Sequence, residues 1–176
     1  MREVNKVFYA VAILPPGNVS RQIVDIQKEL YYSYGKTSGL ALPPLIPISF
    51  SKQEPSDILF SKQLTTEDPV THTSQWVEEG KAWYLRTSNV KTWKKIQHIF
   101  DGDTGPQLFP PFPGLFIHLD EEEGSGPVPP EKLPTVPSLQ WKTSRIAVLR
   151  IETRTYPQWW KGVFVTIKRE AKLRMS

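Results

Sequence analysis

The opening segment constrains the fold most, because an apolar strand is followed at once by a turn and an amphipathic helix. Residues 7–14 are continuously apolar and rich in β-formers, which predicts a strand buried on both faces. The Pro-Pro-Gly run at 15–17 ends this strand. Apolar residues then recur at helical spacing as far as Leu30, with Asn18 or Ser20 as the expected N-cap. The segment therefore predicts strand, turn and helix in that order.

The rest of the chain repeats this layout. A second amphipathic helix is expected after Ser88 or Asn89, ending at 101–102, and an acidic loop rich in glycine and proline is expected to be mobile over 121–137. Further strands are predicted over 45–50, 115–120, 144–151 and 162–168, with two or three more between 56 and 88. This order indicates a single bilobal α+β domain over 1–176, with two pseudo-symmetric lobes of antiparallel sheet. A helix would cover each outer face, and a ligand cleft would lie between the lobes.

Composition excludes several classes of site. The 176 residues include no cysteine, which rules out disulfides, thiolate metal sites and cysteine nucleophiles and favours a reducing, cytoplasmic location. The longest apolar runs are too short to span a bilayer, so no membrane partner is expected. A net charge of +4 is a mild basic excess that permits a polyanionic ligand. Motifs for a Gly-rich phosphate loop or a zinc-binding helix are missing, and no cofactor or metal is predicted.

Residues 8–30 and 144–173, together with the order of elements between them, resemble the 2H phosphoesterase superfamily of 2′-5′ RNA ligase-like and cyclic phosphodiesterase proteins. The resemblance implies two His-x-Thr/Ser motifs, one per half, each on a strand in the cleft and usually preceded by proline. One histidine would remove a proton from the attacking oxygen and the other would protonate the leaving oxygen. The hydroxyl groups would hold the phosphate.

In the first half, the resemblance places the motif at 44–48, where Leu45 takes the histidine position and Pro47 the threonine position. Neither residue can transfer a proton or donate a hydrogen bond from its side chain. In the second half, the best match puts His118 and Asp120 at these positions. Strict alternation would place Phe116, His118 and Asp120 on one face of the strand, and contact with Asp120 would raise the pKa of His118. His118 and Asp120 are the candidate catalytic residues.

Three functions stay open from the residues. The first is a degenerate relative that binds RNA or a nucleotide in the cleft, with Leu45, Pro47, Lys142 and Arg145 as ligand-binding residues and with absent or weak catalysis. The second is an active 2′,3′-cyclic or 2′-5′ phosphodiesterase that uses His118. The third is a protein-interaction domain with exposed aromatic residues and no nucleotide ligand. The sequence leaves the oligomeric state open.

Five smaller features give weaker signals. His72 satisfies His-x-Ser with Ser74 but lies outside the expected order, and His98 is expected on the surface of the second helix. Adjacent tryptophans at 159–160, near basic residues, would either stack nucleobases or pack in the core, and small domains favour the core. Basic residues over 161–174 would either attract phosphate or form a solvated strand. Carboxylates at 121–123 are expected in a solvated loop, because consecutive strand residues point to opposite faces.

Overall fold

A computed structural model describes residues 5–56, 65–66, 70–100, 107–120 and 126–175, and it confirms the α+β class. The elements, in chain order, are β1 (Lys6–Leu14), α1 (Gly17–Tyr34), β2 (Ile46–Ser51), β3 (Thr65–Thr66), β4 (Thr71–Glu79), β5 (Ala82–Thr87), α2 (Val90–Phe100), β6 (Gly114–Leu119), β7 (Gln140–Trp141), β8 (Arg145–Thr153), β9 (Val163–Lys172) and β10 (Arg174–Met175). Short 3₁₀ turns occupy Gly39–Ala41 and Pro130–Lys132. Most of the strand expected at 56–64 lies outside the described residues.

Two four-stranded antiparallel sheets form the framework. The first has the strand order β2-β1-β8-β9 and the second has the order β6-β5-β4-β7, while β3 and β10 form a short parallel pair. All nine residues of β1 pair with β8, so the first sheet contains strands from both ends of the chain. The lobes are therefore not the two halves of the sequence, since β8 and β9 complete the sheet that β1 begins.

The first helix begins earlier than the sequence suggests. Pro16, rather than Asn18 or Ser20, is the N-cap of α1, and its carbonyl accepts the amides of Val19 and Ser20 at 3.0 and 2.9 Å. A proline with a fixed φ starts the helix without a side-chain cap. Gly35 ends the helix in the left-handed region with φ 70°, as its lack of a Cβ allows.

Alternate residues of the strands belong to two separate hydrophobic cores. On β1, Val11 and Ile13 pack into the core that contains both helices, which we call the helix-side core. The opposite face of the same strand packs into a second core, which we call the loop-side core because two loops, 107–113 and 154–162, cover it. The loop-side core contains buried apolar residues of both sheets and of these loops: Phe8, Ala10, Ala12, Leu14, Leu42, Leu45, Phe50, Ala82, Tyr84, Leu108, Phe109, Phe112, Phe116, Ala147, Leu149, Ile151 and Trp159.

The described part of the proline-rich segment after β6 packs on the second sheet. Trp76 of β4 donates from Nε1 to the carbonyl of Pro134 at 2.7 Å, and Thr73 donates from Oγ1 to the carbonyl of Pro137 at 2.6 Å. Val128 is buried in the helix-side core. These contacts tie 126–139 to the sheet, whereas residues 121–125, which include the three consecutive glutamates, lie outside the described residues. Within the described ranges, neither helix is long and apolar enough to cross a membrane.

Candidate functional site

The two strands expected to bear the motifs, β2 and β6, meet where the sheets join. The amide of Phe116 donates to the carbonyl of Leu45 over 3.0 Å. From α2, Trp93 donates through Nε1 to the carbonyl of Pro47 at 2.9 Å. From α1, Gln27 donates through Nε2 to the carbonyl of Phe116 at 3.4 Å. Each helix therefore holds the motif strand of the opposite sheet by a side-chain hydrogen bond.

These matched contacts indicate which positions in the two lobes correspond. Pro47 accepts a hydrogen bond from Trp93 of α2, and Phe116 shares one from Gln27 of α1 with its neighbour Ile117; we take Pro47 and Phe116 as counterparts, because the amide of Phe116 is also the one that bonds across to Leu45. Leu45 and Gly114, two residues earlier on their strands, are then counterparts as well. The correspondence lies four residues before the pair expected from the sequence. Leucine, proline, glycine and phenylalanine have no side-chain group that transfers a proton or donates to phosphate.

The loop-side core covers these positions. Leu45 is 1% exposed and Phe116 is 2% exposed. The ring of Phe109 stacks on that of Phe116 with centroids 3.9 Å apart, and buried Trp159 lies 5.7 Å from Phe109. Pro47 is also buried. Leu45 and Pro47 are thus packing residues with almost no exposed surface, and their predicted role in ligand binding stays a prediction.

The covering loop 107–113 is fastened to the second sheet by Tyr84. Its hydroxyl donates to the carbonyl of Pro110, and its ring lies 4.8 Å from that of Phe112. Burial raises the pKa of Tyr84, and the nearby carboxylate of Glu79 raises it further. The phenol therefore stays protonated and keeps its proton for this hydrogen bond.

A β-bulge in β6 separates His118 from Phe116. Trp83 pairs with His118 and Tyr84 pairs with Phe116, which leaves Ile117 as an extra residue. Cross-strand partners share a face of a sheet, so His118 lies with Trp83 on the helix side while Phe116 lies with Tyr84 on the loop side. The prediction that His118 and Phe116 share a face is wrong, because strict alternation does not allow for the extra residue Ile117.

His118 instead belongs to a buried polar cluster made of Lys36, Trp83, His118 and Asp120. Lys36 donates from Nζ to the backbone carbonyl of Asp120 at 2.8 Å, and Trp83 donates from Nε1 to Asp120 Oδ2 at 2.7 Å. His118 Nε2 lies 3.5 Å from Asp120 Oδ1, so the expected contact between these two residues is present. Lys36 and His118 are each only 1% exposed.

The environment of the polar cluster keeps His118 neutral. Burial lowers the pKa of His118 to about 4, outweighing the Asp120 carboxylate, which acts in the raising direction predicted from the sequence. The charge of Lys36 lowers this pKa further. At neutral pH the imidazole is therefore uncharged, so it lacks the acidic proton of an imidazolium and is a weak base. A catalytic role for His118 and Asp120 remains a prediction, and the geometry gives them a role in packing.

Of the two basic residues expected at the ligand site, one lines a pocket. A pocket of about 220 Å³ opens at the end of β8, and Arg145 is part of its wall. Lys142 is exposed in the connection before β8 and does not line this pocket. His118 lies on the opposite face of the other sheet, so the structure does not bring Arg145, Lys142 and His118 into one cleft. The pocket is lined by Leu14, Pro16, Thr143, Ser144, Arg145, Lys172 and Leu173.

The positions of the aromatic side chains differ from those that the base-stacking hypothesis requires. Trp159 is 2% exposed and belongs to the loop-side core, which confirms the core reading for this residue. Phe164 on β9 is instead 55% exposed, and the guanidinium carbon of Arg154 lies 5.0 Å from its ring centroid. Phe164 was not singled out from the sequence, although alternation along β9 places it opposite Val163 and Val165.

The remaining histidines and acidic residues form no additional site among the described residues. His98 is exposed on α2, as expected, and His72 is partly buried on β4 with its amide bonded to Ser88 Oγ at 3.0 Å. Within the described ranges, no group of three or more His, Asp or Glu residues could hold a metal ion. The carboxylates at 121–123 lie outside those ranges.

Comparisons with known proteins support the fold alone. No family model and no curated protein matches the chain. Among solved structures, the chain is similar to the crystal structure of TT0787 from Thermus thermophilus, with a TM-score of 0.59 and 15% sequence identity. The match covers 96% of this chain and 99% of TT0787. The arrangement of two antiparallel sheets and two helices is therefore one that a protein of different sequence also adopts.

Proposed function

We propose that this chain is a non-catalytic domain of the 2H phosphoesterase type, which binds a phosphate-containing ligand, an RNA or a nucleotide, at the pocket beside Arg145. The observation that carries the proposal is the chemistry of the joined strands β2 and β6. All four positions that correspond across the lobes, Leu45, Pro47, Gly114 and Phe116, are apolar and buried. The strand framework of the fold is kept, and the groups that would move protons are missing from it.

The pocket has the polar groups that a phosphate requires. Arg145 and Lys172 supply two cations, and Thr143 and Ser144 supply hydroxyl groups. The oxygen of Ser144 accepts a hydrogen bond from Trp141 Nε1 at 3.0 Å, which leaves the hydroxyl proton free to be donated to a ligand. Leu14 and Leu173 add an apolar wall on which a base or sugar can pack.

One carboxylate competes with the ligand. Arg145 Nη1 lies 2.9 Å from Glu170 Oε2, with both side chains more than 40% exposed. An ion pair this exposed adds little stability, so the guanidinium can exchange the carboxylate for a phosphate at small cost. Lys172, opposite Arg145 in the β8–β9 ladder, then faces the same anion.

Removing either pocket cation is expected to weaken nucleotide binding about ten-fold, because a charge-assisted hydrogen bond to phosphate is lost. Fluorescence anisotropy of a labelled adenosine diphosphate at low salt measures the effect for Arg145→Ala and Lys172→Ala. Lys94→Ala on α2 removes the same charge from an exposed site away from the pocket and serves as the control. Equal affinities in all three variants and the native chain would contradict binding at this pocket.

A further inference from the structure

The basic residues of the chain are concentrated at its end. Residues 145–175 contain eight Lys and Arg residues against two Glu residues, a net charge of +6 where the whole chain has +4. These residues form the β8–β9 hairpin and the strand that follows it. The remainder of the chain is therefore slightly acidic, and the hairpin is the part of the surface that attracts a polyanion.

Phe164 gives this basic hairpin an exposed aromatic ring. It lies on β9, the outermost strand of the first sheet, and is 55% exposed. The guanidinium of Arg154 sits over the ring at 5.0 Å, and Thr166, two residues along the strand, is exposed on the same face. A half-open ring with a cation on one side is the arrangement on which an unpaired nucleobase stacks.

The pairing of the strands shows which residues of β8 and β1 lie on the same face as Phe164. Phe164 pairs with Glu152, and Thr166 pairs with Arg150, which in turn pairs with Tyr9 on β1. Cross-strand partners share a face, so Tyr9, Arg150 and Phe164 lie on one side of the sheet. Neighbouring strands are about 4.8 Å apart, and Phe164 lies two residues along the strands from the row of Tyr9, so the backbone positions of the two residues are roughly 12 Å apart across β8. Tyr9 is partly buried against the helix-side core, so Phe164 is the open aromatic ring of this face.

We propose that the face of the β8–β9 hairpin bearing Phe164, Arg154 and Arg150 binds single-stranded nucleic acid, with a base stacked on Phe164. Charge complementarity favours this occupant over an apolar protein surface, because charged rather than apolar side chains flank the exposed ring: Arg154 lies over it, and Arg150 lies 2.8 Å from the carboxylate of Glu152, which a phosphate would have to displace. The pocket at Arg145 lies at the opposite end of β8, so this surface is a separate one. It would bind oligonucleotides even if the pocket bound no nucleotide.

The test measures fluorescence anisotropy of labelled single-stranded U12 and dT12, and of a 12-base-pair duplex, at 50 and 200 mM salt. We expect Phe164→Leu to bind the single strands about ten-fold more weakly, which corresponds to the loss of one base–aromatic stack, and Phe164→Tyr to bind as the native chain does. Ile167→Ala is the matched control, because Ile167 is also exposed on β9 but pairs with Leu149 of the loop-side core and so lies on the other face.

Several results would overturn the proposal. They are no binding of either single strand at 50 mM salt, equal affinities for Phe164→Leu and the native chain, or an equal loss in Ile167→Ala. Concentration-dependent self-association that Phe164→Leu abolishes would assign the surface to a second copy of the chain instead. Adenosine diphosphate binding, measured in the same variants, separates this surface from the pocket, because only Arg145→Ala and Lys172→Ala should change it.

Discussion

Gly39→Ala is expected to lower the free energy of unfolding by about 3 kcal/mol. Gly39 lies in the 3₁₀ turn after α1, where a Cβ atom would overlap the backbone carbonyl oxygen of Ile117 at the β6 bulge and would lie 2.9 Å from Gln27 Nε2. Both neighbours are held in place, since Gln27 donates to the carbonyls of Phe116 and Ile117. Overpacking usually destabilises a protein by about 1–3 kcal/mol, and we expect a value at the upper end because the backbone here cannot move away.

Urea denaturation followed by circular dichroism measures this effect, and Gly17→Ala is the matched control. A Cβ at Gly17 has no neighbour within 4 Å, and the residue begins α1. Replacing glycine by alanine in a helix is neutral or stabilising by up to about 1 kcal/mol. If the two variants unfolded at the same urea concentration, the close contact between the 3₁₀ turn and the bulge would not exist in solution.

The second large effect is a dependence of stability on pH that comes from His118. Burial lowers its folded-state pKa to about 4, while the unfolded value is 6.5. Between these values the unfolded chain binds more protons than the folded chain, so the stability contributed by neutral His118 is complete above pH 6.5 and is lost as the pH falls towards 4. Between pH 7 and pH 4.5 the native chain should lose about 2.5 kcal/mol through this residue.

His118→Gln removes the titrating group, so its loss of stability between pH 7 and pH 4.5 should be smaller than that of the native chain by this amount. His98→Gln is the control, because His98 is exposed on α2. Every residue other than the substituted histidine is the same in the three proteins, so the comparison isolates the change that follows from removing His118. If the stability of the native chain and of His118→Gln had the same dependence on pH, His118 would not be buried in a neutral form.

The periodicity of the sequence was sufficient to predict most elements. The apolar run at 7–14 corresponds to β1, and the segment with helical spacing through Leu30 corresponds to α1. Each of these signals depends on a repeat within one segment, and local repeats are visible in a sequence. The start of α1 at Gly17 was less visible, because Pro16 caps the helix through its backbone rather than through a polar side chain.

The candidate site was harder to predict because its geometry depends on contacts between distant segments. The bulge at Ile117 reverses the face of His118, and no residue type near it marks the extra position. Lys36 follows the helix terminator Gly35, where a solvent-exposed lysine is the usual outcome, yet its Nζ is buried against Asp120. The correspondence between Pro47 and Phe116 becomes visible only through their hydrogen bonds to Trp93 and Gln27.

Phosphorus NMR of a 2′,3′-cyclic nucleotide incubated with the chain tests most directly whether the domain binds phosphate without hydrolysing it. We expect the cyclic phosphate signal to broaden with the native chain, to stay sharp when Arg145 and Lys172 are both alanine, and to keep its total area over time. Growth of a monophosphate signal that disappears in His118→Ala would contradict the account, because the buried neutral histidine of the polar cluster would then be catalytic.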